Sequence, residues 1–169
     1  MTHEMVFLLP NEKRFVIRRD PLDKMLQYKQ LNRYDKEAGG ILIGRILLEN
    51  GNFIVDDVSE PMKQDIRTRI TFKRAPNGHQ EYFDQKWAES QGRCFYLGEW
   101  HTHPEPVPNP SPVDILGWKR IMSLEHEVET LFFIIIGQRQ INVWFGNPIN
   151  KEIKQIHIKG EISDGKEKS

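Results

Sequence analysis

The chain has 169 residues, enough for one domain with a buried core. Its 24 basic and 24 acidic side chains cancel. That argues against a nucleic-acid binder, which would show a basic surplus or stripe, and against charge-driven attachment to a membrane. The single cysteine, Cys94, excludes an internal disulfide and a Cys-rich zinc site, and it suits a reducing cytoplasm.

From the N-terminus, MTHEMVFLLPNEK carries no basic n-region, and its apolar run Met5–Leu9 is too short for a signal peptide. MVFLLP and FVIRR read as two short strands around the turn Asn11–Arg14. Asp20-Pro21-Leu22-Asp23 opens a helix, with Asp20 as N-cap and Pro21 at the first helical position. Gly39 to Pro61 predicts a hairpin, with Asn50-Gly51 between apolar runs as its turn. RTRITF, Arg67 to Phe72, alternates as a strand would, and a second helix runs from about Pro76 to Gln91.

CFYLGEWH is a further strand, and a third helix starts at Pro112. LFFIII and INVWFG follow, joined by Gly137-Gln138-Arg139, and IKQIHI closes the fold. Leu131–Ile136 is apolar throughout, as expected of a central strand covered on both faces. It is the longest fully apolar run, far below the roughly 20 residues of a membrane helix. The reading is a soluble cytoplasmic protein of the α/β class: one domain over residues 1–159 around a mixed sheet with flanking helices, then a polar tail at 160–169.

The chemistry is concentrated in GEWHTHPEPVPNPSPVD, Gly98 to Asp114. Part of it has a purely structural explanation. Ser111-Pro112-Val113-Asp114 is helix-start grammar, and by itself says nothing of catalysis. The histidines change this. Residues two apart in an extended segment project to one side, so His101 and His103 can converge, and Asp114 can add a carboxylate. Two nitrogens, one oxygen and an open fourth position describe a catalytic zinc site rather than a structural one. Its water needs a base that is not a ligand, and Glu37, in KEAGGILIGR, is the candidate. The glycines after it suit tight packing and a turn; no Gly-Lys-Ser/Thr follows that would make a phosphate loop.

Together these residues resemble the JAMM (MPN-plus) signature of Mov34/PAD/JAB zinc metalloproteases: a distant Glu, then His-x-His, seven residues, Ser, two residues and Asp. Glu37, His101-Thr102-His103, Ser111 and Asp114 match at every element, within the usual Glu37, Gly40, Leu42, Gly44 context. The resemblance implies a cytidine-deaminase-like α/β fold, zinc on His101, His103 and Asp114, proton transfer through Glu37, and an oxyanion bond from Ser111. RCFYLGEWHTHPEPVPNPSPVDILGW, with Phe72 and His79-Gln80 upstream, is similar to bacterial JAB-type deconjugases of type II CBASS anti-phage operons. These are expected to cleave the linkage between a CD-NTase C-terminus and a target protein.

Long insertions, with which ubiquitin-chain cleaving relatives grip ubiquitin, are not evident. The substrate implied is instead an extended C-terminal tail lying against a sheet edge, with Ser59–Phe72 as one wall of its groove. A hydrolase trimming a sulfur-carrier or other ubiquitin-like protein is the alternative, followed by a non-catalytic scaffold. A nucleobase deaminase is excluded, because it needs a Pro-Cys-x-x-Cys segment. Glu99, His79 and His126 are placed outside the site, Glu99 as the partner of a surface base. Trp87, Trp100, Trp118 and Trp144 are expected in the core.

Overall fold

Three helices are interspersed among the strands of residues 3–159, the part of the chain that the computed structural model describes; the tail expected at 160–169 lies outside it. In chain order the elements are β1 (Met5–Leu8), β2 (Arg14–Ile17), α1 (Arg19–Leu26), β3 (Gly39–Ile46), β4 (Phe53–Val58), β5 (Ile66–Arg67), β6 (Phe72–Lys73), α2 (Pro76–Glu89), β7 (Phe95–Thr102), α3 (Pro112–Met122), β8 (Leu131–Ile136), β9 (Ile141–Gly146) and β10 (Ile153–Ile158). Eight strands form one mixed sheet, in the order β1-β10-β9-β8-β7-β3-β4-β2. Pairing is antiparallel except for β2 with β4 and β7 with β8. Because β1 also pairs with β2, the sheet closes on itself. No helix among the described residues is long and apolar enough to cross a membrane.

Every residue of β8 is buried, which fits its unbroken apolar sequence. One face meets an aromatic cluster: Phe15 stacks on Phe132 at 4.0 Å, and Phe53 meets the same ring edge-on at 4.9 Å. The other face is covered by α3, whose Trp118 stacks on Phe133 at 4.7 Å.

Three local expectations are corrected. Helix α1 begins at Arg19 with Arg18 as N-cap and no side-chain cap bond. Asp20 lies in its first turn, where a negative charge meets the positive end of the helix dipole. RTRITF is not one strand. Thr68 N donates to Thr71 O at 2.9 Å, folding the stretch into the β5–β6 hairpin with Arg67 opposite Phe72. Trp100, Trp118 and Trp144 are buried, but Trp87 is half exposed on α2.

Candidate active site

Strand β7 runs between β3 and β8 and delivers both histidines at its end. Gly98 adopts φ +138°, and a Cβ there would lie 1.7 Å from the carbonyl oxygen of Phe132, so only glycine fits. The β3–β7 register shifts beside it, between Leu42 and Ile43. Beyond this irregularity the strand alternates strictly. Trp100 and Thr102 are buried while Glu99 and His101 face partly outward. Thr102, between the histidines, points the other way and donates its hydroxyl to Gln30 Oε1 at 2.8 Å.

His101 Nε2 and His103 Nε2 lie 3.0 Å apart. Asp114 Oδ2 is 3.0 Å from His103 Nε2 and 3.4 Å from His101 Nε2. These three atoms form the His–His–carboxylate cluster that could hold a metal ion. Edges of this length are close to those between ligand atoms about 2.0–2.1 Å from a shared tetrahedral ion. The donor set agrees. His103 Nδ1 donates to Glu105 Oε1 at 3.0 Å, which leaves Nε2 as the ring atom turned into the triangle, where a metal ion could take the place of its proton. A ring nitrogen this close to a second imidazole nitrogen and a carboxylate oxygen needs a positive charge between them, a proton or a metal ion. The electrostatics point the same way. Burial alone would lower the His103 pKa, but bonds to Asp114 and Glu105 and the charge of Glu37 raise it to about 9. Burial works to raise the Asp114 pKa; bonds from His101 and His103 outweigh it and hold the carboxyl far below its ordinary range.

The helix-start grammar of α3 proves to be part of the site. Ser111 Oγ accepts from Asp114 N at 3.1 Å, and Ser111 N donates to Asp114 Oδ2 at 2.8 Å. This capping box aims at the histidines the same oxygen that caps the helix. The helix-start role of Ser111 and Asp114 is thus met in full, and the same geometry leaves Asp114 Oδ2 facing both histidines.

Glu37 precedes β3. It is nearly buried and sits with Oε1 3.9 Å from His103 Nε2, beside the triangle but outside it. Burial raises its carboxyl to about 7; the His103 charge opposes this and the Asp114 charge adds to it. The glycines after it serve close approach: a Cβ on Gly40 would lie 2.1 Å from Ser59 O, and one on Gly44 1.8 Å from Ile54 O.

All five predicted residues thus converge. Glu99 pairs with Arg74 at 2.5 Å, as expected, and His126 bonds the Ile121 carbonyl. His79 is buried between Ser59 and Asp65. Arg67 and Arg69, expected to line a substrate groove, bond main-chain carbonyls of Glu37 and Asn32. Glu105 and Gln30 escaped the sequence reading. A carboxylate two residues past a suspected ligand was a usable signal for the first; nothing local marks the second, since its partners are Asp35, Arg69 and Thr102.

A family profile described as prokaryotic homologs of the JAB domain matches residues 21–146. A protein of Escherichia coli (strain TW11681) named CD-NTase/cGAS isopeptidase is 32% identical over 157 residues, 93% of this chain and 96% of its own. Proteins of the same name from Pseudomonas aeruginosa (strain BWHPSA011 / Pa011) and Vibrio cholerae (serotype O1, El Tor Inaba N16961) are 34% identical. They cover 72% and 85% of this chain, and 76% and 87% of their own. The solution structure of protein DSY2949 from Desulfitobacterium hafniense superposes with a TM-score of 0.55 at 19% identity, over 82% of this chain and 87% of that one, a likeness of fold alone.

Proposed function

The chain belongs to the family of prokaryotic JAB-domain homologs, and from that premise we propose that it is a zinc-dependent isopeptidase of CBASS anti-phage defence. Its substrate is a protein joined to the C-terminal tail of a CD-NTase, and its product is the freed tail. The observation that carries this reading is the triangle of His101, His103 and Asp114 with the Glu37 carboxyl 3.9 Å to its side.

Zinc bound by the triangle supplies Lewis-acid chemistry, lowering the pKa of a water toward ~7 and polarising the scissile carbonyl. Glu37 accepts the proton that the attacking water loses. It is suited to this because burial holds its carboxyl near 7, where it both takes and returns a proton. The C–N bond breaks, the water oxygen stays with the new carboxylate, and the proton on Glu37 passes to the departing amine. The Ser111 hydroxyl accepts from the Asp114 amide, so its own hydrogen can donate to the carbonyl oxygen as charge builds there. Glu105, bonded to Nδ1, orients the His103 ring so that Nε2 would be the atom to hold a metal ion.

The test is cleavage of a target protein joined through a lysine isopeptide to a CD-NTase C-terminal tail. Wild type, Glu37→Gln and a chelator-treated sample are compared, with zinc measured on each. Wild type alone should release the intact tail, and readdition of zinc should restore the chelated sample. Zinc present with the conjugate intact would pass the substrate assignment to a sulfur-carrier or other ubiquitin-like tail. Folded protein that takes up no zinc would remove the mechanism.

A further inference from the structure

We propose that the β5–β6 hairpin is a clamp that positions Glu37, with Arg67 as a positioning residue; this rests on the reading of Glu37 as the proton carrier. The hairpin grips the segment around Glu37 at three points. The Glu37 amide donates to the carbonyl of Thr68 at 2.7 Å. Arg67 Nε donates to the carbonyl of Glu37 at 2.8 Å. The Phe72 ring lies against Gly39 so closely that a Cβ there would sit 2.7 Å from it. Both main-chain polar groups of Glu37 are therefore taken by one two-stranded unit that stands apart from the main sheet.

The opposite flank is held by β7. Ala38 N donates to Thr102 Oγ1 at 2.9 Å, and Thr102 N donates to Ala38 O at 2.9 Å. Residues 37–39 are thus pinned between the hairpin and the strand that carries His101. Gln30, fully buried, ties the two sides together: its Nε2 donates to Arg69 O at 2.8 Å and its Oε1 accepts from Thr102. The base of the hairpin is closed by Asp65, whose Oδ1 accepts from Ala75 N at 2.7 Å.

Such a frame matters because proton transfer depends on placement, and displacement by about 1 Å can cost on the order of a hundredfold in rate. Arg67 is the bond to alter, because it is half-buried and its Nε hydrogen bond goes to a main-chain carbonyl of the segment that carries Glu37 rather than to a side chain. A guanidinium that instead met substrate would act on binding.

The experiment measures kcat and KM on the isopeptide conjugate, zinc content, and hydrogen exchange at the Glu37 amide, for wild type, Arg67→Ala, Arg67→Lys and Glu37→Gln. Arg67→Ala should lower kcat by about ten- to a hundredfold, leave KM and zinc content at wild-type values, and speed exchange at Glu37. Arg67→Lys, which can still donate to the same carbonyl, should recover part of the loss. If Arg67→Ala does not fold, Arg67→Gln, which keeps a donor on a shorter stem, carries the expectations of the lysine variant. A raised KM with kcat kept, or unchanged exchange at Glu37, overturns the clamp. Wild-type turnover by Glu37→Gln overturns the underlying reading instead, while the exchange data still report on the clamp.

Discussion

Two groupings of serine, histidine and aspartate lie within the described residues, built from the same side chains to opposite ends. In Ser59–His79–Asp65, His79 Nδ1 meets the Ser59 hydroxyl at 2.6 Å and Nε2 meets Asp65 Oδ2 at 2.8 Å, with both histidine and aspartate side chains fully buried. Each ring nitrogen has a complementary partner. Ser59 Oγ also accepts from Ile41 N, and Asp65 from Met62 N and Ala75 N. That network is complete, and it fastens α2 to β3, β4 and the base of the hairpin. In Ser111–His103–Asp114, ring nitrogens and a carboxylate oxygen instead turn toward one another, partly open to solvent. The difference teaches that residue identity does not make a site. What sets the second grouping apart is that its ring nitrogens and carboxylate oxygen turn toward one shared point.

Substitutions across the two groupings sharpen that contrast. The largest effect is expected from His101→Ala, which should abolish both zinc binding and turnover. His79→Ala should keep its zinc while losing about 1–3 kcal/mol for each buried partner left unpaired. Zinc titration and urea unfolding on both variants check this, and loss of zinc by His79→Ala would erase the distinction.

Next come the serines. Ser111→Ala should lower kcat by about 10²–10³-fold, as for other oxyanion donors, and cost about 1 kcal/mol through the lost cap. Ser59→Ala should be felt in the melting temperature and not in kcat. Glu105→Ala removes the bond that orients the His103 ring, together with one from Asn109 N, so competition with a chelator should show zinc affinity falling about 10–100-fold.

The smallest effect is on the pH dependence of stability in zinc-free protein. The Glu37 carboxyl is raised from 4.5 to about 7, so the native state holds that proton more tightly than the unfolded chain does. Its stabilising contribution is full below 4.5 and is lost as pH rises through about 7. Comparing wild type with Glu37→Gln in urea unfolding isolates this slope, and an identical slope in the two would contradict it.

Much of this was legible in the sequence because it is local. Asn50-Gly51 fixed a hairpin, and Gly51 takes φ +76° there. The alternation His101-Thr102-His103 put both rings on one side, and Ser111 to Asp114 spelled out a helix start. What could not be read depends on distant pairings. Gln30 meets Thr102 across 72 positions of sequence, and His79 meets Ser59 across 20. RTRITF alternates well enough for one strand, and it folds as a hairpin because its backbone bonds go to its own turn and to Glu37. Trp87 looked like core by composition, yet helix α2 rests on β3 through Tyr82 and Phe83 and turns Trp87 aside.

The closure of the main sheet bears on solubility. An unpaired strand edge would template the addition of any extended peptide segment it met. Here all eight strands of the main sheet are paired on both sides, and the remaining edges among the described residues belong to β5 and β6, two residues each. Among the described residues, stray chains find almost no row of open amides on which to aggregate, and backbone pairing is left to the short β5–β6 ledge beside Glu37.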